Sequence, residues 1–285
     1  MENQINKSKK QIISTISILF IVLSIIKFIE FLFIRTEEHT ILADNVICKI
    51  CCIAGTLIAM KYCGLKLSDI GLKFKNTFKY IGCGFGLGIL TFAISYGIEI
   101  LILTLQGNTP HLSAYITNFG LTGATAEVSL SVGAVLICIG VNIINVLAEE
   151  GLFRGFILKT VQDKWGFKKA NYIQALLFGW WHVILCVKGV MDGDMSIAMA
   201  IVFAIGYIIL AGILAIEWGT CVNMTGVLWV GLSEHFFNNF IGNFLHVVSS
   251  TGTDEMQIIR IVLSNLLSLG IVLLINKKKN KAAEK

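Results

Sequence analysis

The stretch that decides the fold is SLSVGAVLICIGVNIINVLAEEGLFRGF, residues 129–156, in which no position from Val132 to Ala148 carries a charge. A helix needs about 20 predominantly apolar residues to cross the hydrocarbon core of a bilayer. Within this stretch, residues 129–148 already reach that length before the acidic residues Glu149 and Glu150. The stretch therefore predicts a membrane-spanning helix that carries acidic side chains within its length.

Similar apolar runs occur along the whole chain of 285 residues. Numbered in chain order as the first to the eighth span, they lie at 11–34, 46–63, 78–106, 129–156, 171–188, 195–217, 220–247 and 256–276. The chain is 55% hydrophobic and only 14% charged, with a mean hydropathy of +0.78, whereas a soluble domain needs a larger charged surface. The sequence thus predicts an all-α, polytopic membrane bundle of about eight transmembrane helices, forming a single transmembrane domain over residues 1–285 of a multi-pass cell-membrane protein.

Lysine and arginine are distributed asymmetrically between the connecting segments. They concentrate in the N-terminus, the segments 61–79 and 157–170, and the tail after Lys277. The intervening segments contain one arginine and several acids, and these are 35–45, 107–128, 189–194 and 248–255. Because basic segments stay on the cytoplasmic side, both termini are predicted to be cytoplasmic, which agrees with an even number of spans. The membrane also accounts for the net charge of +5, so we expect lipid and no nucleic acid as a partner.

Ionisable side chains inside a span cost roughly 3 kcal/mol each on insertion scales, so they are functional candidates. In the fourth span Asn142, Asn145 and Glu149 fall on one stripe at 3.6 residues per turn. Glu150 and Arg154 are four residues apart in the order that favours an ion pair. The alternative is that the glutamates and Arg154 simply form the cytoplasmic end of this span, and the segment alone does not decide between the two interpretations.

Two further spans each carry an imidazole at membrane depth. In the fifth span Phe178 and His182 share a helical face, and in the seventh His235 and Asn239 are one turn apart. A single intramembrane histidine is more often a helix–helix hydrogen-bonding residue than a ligand. Three spans that each place an acid or an imidazole in the membrane are explained together by one converging site.

The third span carries a ladder of glycines, Gly82, Gly84, Gly86 and Gly88. Their spacing lacks a dinucleotide-binding fingerprint and precedes no strand-to-helix turn. It contains overlapping pairs of small residues four apart, which are typical of close helix packing in membranes. We therefore expect another helix to pack closely on this span.

The polar segments resemble the signatures of the CAAX prenyl protease/bacteriocin-processing family of intramembrane peptidases, also called the CPBP or Abi family. Its motifs E-E-x-x-x-R, F-x-x-x-H and H-x-x-x-N are matched, in order, by Glu149-Glu150 with Arg154, by Phe178 with His182, and by His235 with Asn239. The resemblance covers roughly residues 125–247, the predicted catalytic core, and no motif position departs from the pattern.

The resemblance implies an intramembrane endopeptidase that hydrolyses a peptide bond in a peptide or a membrane-associated protein. It implies that Glu149 and His182 activate a water molecule, while His235 and Asn239 stabilise the tetrahedral oxyanion. An amide and an imidazole are suitable donors for an oxyanion where water is excluded. The position of Glu149 near the predicted end of its span leads us to expect cleavage near the cytoplasmic leaflet.

The other three motif positions, Glu150, Arg154 and Phe178, would organise the site. Zinc is an alternative cofactor, because Glu149, His182 and His235 are types of ligand that could leave an open position for water. The sequence lacks the H-E-x-x-H motif of zincins, which favours metal-free chemistry.

Two other classes of function fit the same polar residues. The first is a non-catalytic membrane scaffold or immunity protein that modulates a partner such as a sensor kinase. The second is an ion-coupled transporter, which would need helices broken near the midplane, although the spans concerned contain no proline. Replacement of Glu149 by glutamine separates a scaffold, which would keep its phenotype, from a peptidase, which would lose it.

Overall fold

The computed structural model describes residues 7–36, 45–116, 131–249, 252 and 254–283. The helices are α1 (Lys9–Ile29), α2 (Val46–Cys63), α3 (Thr77–Leu105), α4 (Val132–Glu149), α5 (Leu158–Trp165), α6 (Phe167–Trp181), α7 (Ile184–Met191), α8 (Ile197–Thr225), α9 (Trp229–Phe244) and α10 (Gln257–Ala283). Short strands β1 (His111–Ala114) and β2 (Leu245–Val248) pair antiparallel. The predicted all-α membrane bundle is confirmed.

Seven helical stretches of the described chain are long and apolar enough to cross a membrane. They are Lys9–Ile34, Val46–Cys63, Thr77–Leu105, Val132–Trp165, Phe167–Met191, Ile197–Thr225 and Gln257–Ala282. The remaining predicted span, 220–247, is represented by the shorter helix α9, which has 16 residues. Its predicted start was wrong, because α8 continues to Thr225 and ends at Gly226, whose φ of 71° is a left-handed conformation that favours glycine.

The fourth span is longer than predicted. Helix α4 continues without a break through a π-helical segment, Glu150–Ile157, into α5, so the helical stretch from Val132 to Trp165 has 34 residues. Glu149 therefore lies near the middle of this helical stretch, while the expected position of the site near the cytoplasmic leaflet stays a prediction. Glu149, Glu150 and Arg154 are also buried, as a converging site requires.

Helix α6 is fixed against α8 by polar side chains that sit on the same face as the candidate residue His182. Asn171 donates to the backbone oxygen of Ile216 at 3.0 Å, and Gln174 donates to that of Ala215 at 2.8 Å. Hydrogen bonds between membrane helices stabilise packing because lipid offers no partners. These amides set the rotation of α6 and so direct its C-terminal end towards the centre of the bundle.

The glycine ladder of α3 packs on α9 through alternate members only. A Cβ atom added at Gly84 would collide with the Ser233 side chain, and one at Gly88 would lie 2.5 Å from a ring carbon of Phe237. Gly82 and Gly86 are exposed, and an added Cβ would meet nothing within 4 Å. The close helix contact predicted from the ladder is present, and α9 is the partner helix.

We expect Gly84→Ala to destabilise the protein by about 1–3 kcal/mol, since overpacking forces the two helices apart. The matched control is Gly86→Ala, which adds the same methyl group on the open face of the same helix. Thermal unfolding in detergent micelles measures both variants. Equal midpoints for the two would contradict the assignment of Gly84 to the α3–α9 contact.

A buried ionic network lies at the end of the bundle that carries the two strands. Asp254 accepts hydrogen bonds from His246 Nδ1 at 3.1 Å and from Arg260 Nη2 at 2.6 Å, and Arg260 also donates to Glu99 at 2.5 Å. Burial raises the pKa of Asp254, but the hydrogen bonds from His246 and Arg260 outweigh this effect and hold the pKa below its usual value. The network connects β2, α3 and the start of α10.

Because the pKa of Asp254 is lower in the folded protein than in the unfolded chain, its stabilisation is present above the unfolded value, about 3.9, and is lost as the pH falls through the folded value. We expect Asp254→Asn to lower the free energy of unfolding at pH 7 by about 3 kcal/mol. The variant should also lose less stability than the wild type on acidification. Unfolding midpoints between neutral and acidic pH measure both effects, and parallel curves would contradict the assignment.

Candidate active site

One cavity of about 160 Å³ lies between α1, α2, α4, α6 and α9. Its lining includes all four residues predicted to be catalytic, Glu149, His182, His235 and Asn239. Asn145, one turn before Glu149 on the predicted polar stripe, also lines it. The structure thus brings the acid and the two imidazoles of three separate spans to one place. Their catalytic roles stay a prediction.

Two adjacent glutamates contact the same imidazole because α4 changes to π-helical geometry at Glu150. Consecutive residues of an α-helix point about 100° apart, so they do not normally meet one partner. Here Glu150 Oε1 lies 2.9 Å from His235 Nδ1, and Glu149 Oε2 lies 3.7 Å from His235 Nε2. π-Helical turns are frequent at functional sites.

His235 is held on both its edge and its face. Its Nδ1–H donates to the Glu150 carboxylate, and the Trp218 indole stacks on the ring with centroids 4.1 Å apart and planes 17° apart. With Nδ1 as the donor, Nε2 is an acceptor when the ring is neutral and a donor when it is protonated. The Nε2 atom points towards Glu149 and the cavity. The protonation state of His235 therefore decides whether the ring accepts or donates a hydrogen bond there.

The contact of His182 with the backbone of Phe178 defines the tautomer of its ring. Its Nδ1 lies 2.8 Å from the backbone oxygen of Phe178, and since a carbonyl only accepts, Nδ1 carries the proton. Nε2 of the neutral ring is therefore an acceptor. The side chain lines the cavity and is partly exposed. An acceptor imidazole beside a carboxylate suits the orientation and deprotonation of a water molecule.

Glu149 is positioned by residues that the motifs do not include. Trp181 Nε1–H donates to Glu149 Oε1 at 3.2 Å. Lys27 of α1 donates to the backbone oxygen of Trp181 at 2.8 Å, and its ammonium group lies 4.4 Å from the centre of that indole ring. Lys27 also lines the cavity and is buried, so an ammonium group lies in the same wall as the carboxylate. Its rarity inside an apolar span was the one sequence signal that could have identified Lys27.

Arg154 pairs with Glu150 and packs against two aromatic rings. Its Nε lies 3.5 Å from Glu150 Oε2, which agrees with the predicted pairing of these residues. The guanidinium group is stacked between two aromatic rings, 3.9 Å from the centre of Phe178 and 4.6 Å from that of Trp218. Arg154 therefore contacts both of the other predicted site-organising residues, Glu150 and Phe178, and each of the three is at most 2% exposed.

A second set of polar residues lies behind His235. The Trp218 indole N–H donates to Glu234, and Ser268 of α10 donates to Glu217 and lies 3.5 Å from Glu234 Oε1. Sequence reasoning missed this set, although Glu217 and Glu234 are acids within apolar spans and could have been identified as such. The set holds the indole that stacks on His235.

The geometry does not assemble the zinc site considered above. No three histidine, cysteine, aspartate or glutamate side chains within the described ranges are grouped closely enough to hold a metal ion. The contacts of His235 explain this, because its Nδ1 is directed to Glu150 and its Nε2 is 3.7 Å from Glu149. We therefore derive no step through a metal.

A carboxylate and two imidazoles around one cavity in a bundle of apolar helices are suited to an intramembrane hydrolase. Residues 131–241 match the family model described as type II CAAX prenyl endopeptidase Rce1-like. The match confirms the resemblance to CPBP intramembrane peptidases, and at family level it supports a CAAX-protease-like intramembrane endopeptidase. The matched residues lie inside the range 125–247, whose bounds stay a prediction. No curated protein matches the chain.

Proposed function

We propose that this protein is an intramembrane endopeptidase that hydrolyses a peptide bond with a water molecule held by Glu149 and His182. The observation that carries the proposal is the convergence of Glu149, His182 and His235 on one cavity from three helices. The family match supports the same class of reaction. The protein acts in the cell membrane on peptides or on membrane-associated proteins.

The reaction begins with water between the Glu149 carboxylate and His182 Nε2, both of which are acceptors. Glu149 takes a proton as the water oxygen attacks the scissile carbonyl carbon. The resulting oxyanion accepts hydrogen bonds from the Asn239 amide and from Nε2–H of a protonated His235. Glu149 then delivers its proton to the leaving nitrogen as the carbon–nitrogen bond breaks, which gives a carboxylic acid and an amine.

Glu150 has a distinct role, because it fixes His235 rather than the substrate. Its hydrogen bond to Nδ1 sets the ring orientation and so directs Nε2 towards Glu149 and the cavity. Arg154 in turn neutralises Glu150, since the two are 3.5 Å apart in a fully buried environment. The paired glutamates thus divide into a proton-transfer group and a positioning group.

The test is a cleavage assay with purified protein in lipid nanodiscs and a mixture of short membrane-associated peptides, run in ¹⁸O-labelled water. A hydrolase should produce new carboxyl ends that carry ¹⁸O, which mass spectrometry detects. A parallel reaction with a chelator measures any dependence on metal. If folded protein yields no new peptide ends from the mixture, the scaffold or transporter hypothesis replaces the peptidase.

A further inference from the structure

The bundle has two chemically different ends. At one end α9 begins against the basic segment that follows α2, where Leu228 N donates to Gly71 O at 3.0 Å and the Trp229 indole donates to Lys73 O at 2.7 Å. At the other end β1 pairs with β2, and Arg35 after α1 forms an ion pair with Asp192 after α7. The first end is the basic end, and the second is the strand end.

The cavity has partly exposed residues on one side of the catalytic set. Asn145 precedes Glu149 by one turn on α4, which runs away from the strand end. Leu185 and Asn239 follow His182 and His235 by about one turn on helices that run towards the strand end. All three are partly exposed and line the cavity, and in each case the step from the catalytic residue leads towards the strand end.

The opposite side of the catalytic set is filled. Phe153, Arg154, Phe178 and Trp218 lie on the side of the basic end, and each is at most 2% exposed. Arg154 stacks on the rings of Phe178 and Trp218, so buried side chains occupy the side of the catalytic set that faces the basic end. Among the described residues, the site is thus filled on the side of the basic end and partly open on the side of the strand end. We call the partly open side, at Asn145, Leu185 and Asn239, the mouth of the cleft.

We infer that the cleft opens towards the strand end and takes its substrates from the extracytoplasmic side. The basic end is cytoplasmic by the distribution of lysine and arginine, so the mouth faces the other side. The inference rests on the proposed function and narrows its substrate class to extracytoplasmic segments of secreted or membrane-anchored polypeptides.

The first test is cysteine labelling with a membrane-impermeant maleimide, with mass spectrometry to identify the modified residue among the native cysteines. Leu185→Cys reports on the mouth, and Lys168→Cys reports on the basic end. In intact cells we expect modification at position 185 and none at 168, and in sealed inverted vesicles the reverse. Modification at position 185 only in inverted vesicles, or in neither preparation, would overturn the inference.

The second test uses activity with the unmodified protein. The peptide for this test is membrane-impermeant and is cleaved by the detergent-solubilised enzyme. We expect right-side-out vesicles to cleave it and sealed inverted vesicles not to cleave it. The opposite preference overturns the inference. Because labelling does not require catalysis, outward labelling without cleavage in any preparation refutes the proposed function and leaves the direction of the cleft standing.

Discussion

Glu149→Gln is expected to lower kcat/KM for peptide cleavage by about 10³- to 10⁴-fold, in line with the loss of a general base. Glutamine has nearly the same shape and keeps an oxygen that can accept from Trp181, which lies 3.2 Å from Glu149 Oε1. It cannot take a proton from water, so the chemical step fails while the protein stays folded. Initial rates at several peptide concentrations measure the effect.

The matched control is Glu255→Gln, which makes the same change at an exposed residue outside the cavity. It should retain wild-type kcat/KM and unfolding midpoint. Activity of Glu149→Gln within a few-fold of this control would remove Glu149 from the mechanism. A biological phenotype that survives Glu149→Gln would favour the scaffold hypothesis instead.

The helical bundle and the catalytic candidates were predictable because both depend on local signals. Apolar runs locate the spans, since length and composition alone decide whether a helix can cross a bilayer. The polar stripe on residues 129–156 identified Glu149 because helical periodicity fixes which residues share a face. The division of Glu149 from Glu150 was also predictable, since Arg154 lies four residues after Glu150.

The partners across helices were not predictable in the same way. Lys27 reaches the backbone of Trp181, and Arg260 reaches Glu99, across 154 and 161 residues of sequence. Such contacts depend on the rotation and crossing of helices, which periodicity does not specify. The π-helical segment after Glu149 was also missed, because apolar composition predicts a helix without specifying which backbone hydrogen bonds the helix makes.

The buried pair of Arg154 and Glu150 should account for the largest stability effect in the site. Arg154→Met is expected to lower the free energy of unfolding by about 3–5 kcal/mol, because it leaves a buried carboxylate without its cation. Glu150 is fully buried, and within the described chain its Oε2 has no hydrogen-bond partner, so solvent cannot compensate the charge. Unfolding in mixed micelles with increasing denaturing detergent measures the loss.

A double-mutant cycle separates this charge effect from lost packing, since Arg154 also stacks on Phe178 and Trp218. Glu150→Gln in the Arg154→Met background should restore about 2 kcal/mol or more, because it removes the uncompensated charge. The comparison pair is Lys159 and Asp163, which has the same i,i+4 spacing at 3.1 Å but is partly exposed. Lys159→Met should cost at most about 1 kcal/mol. If Arg154→Met costs no more than Lys159→Met, Glu150 does not depend on Arg154 for its charge, and the positioning of His235 by a charged Glu150 loses its physical basis.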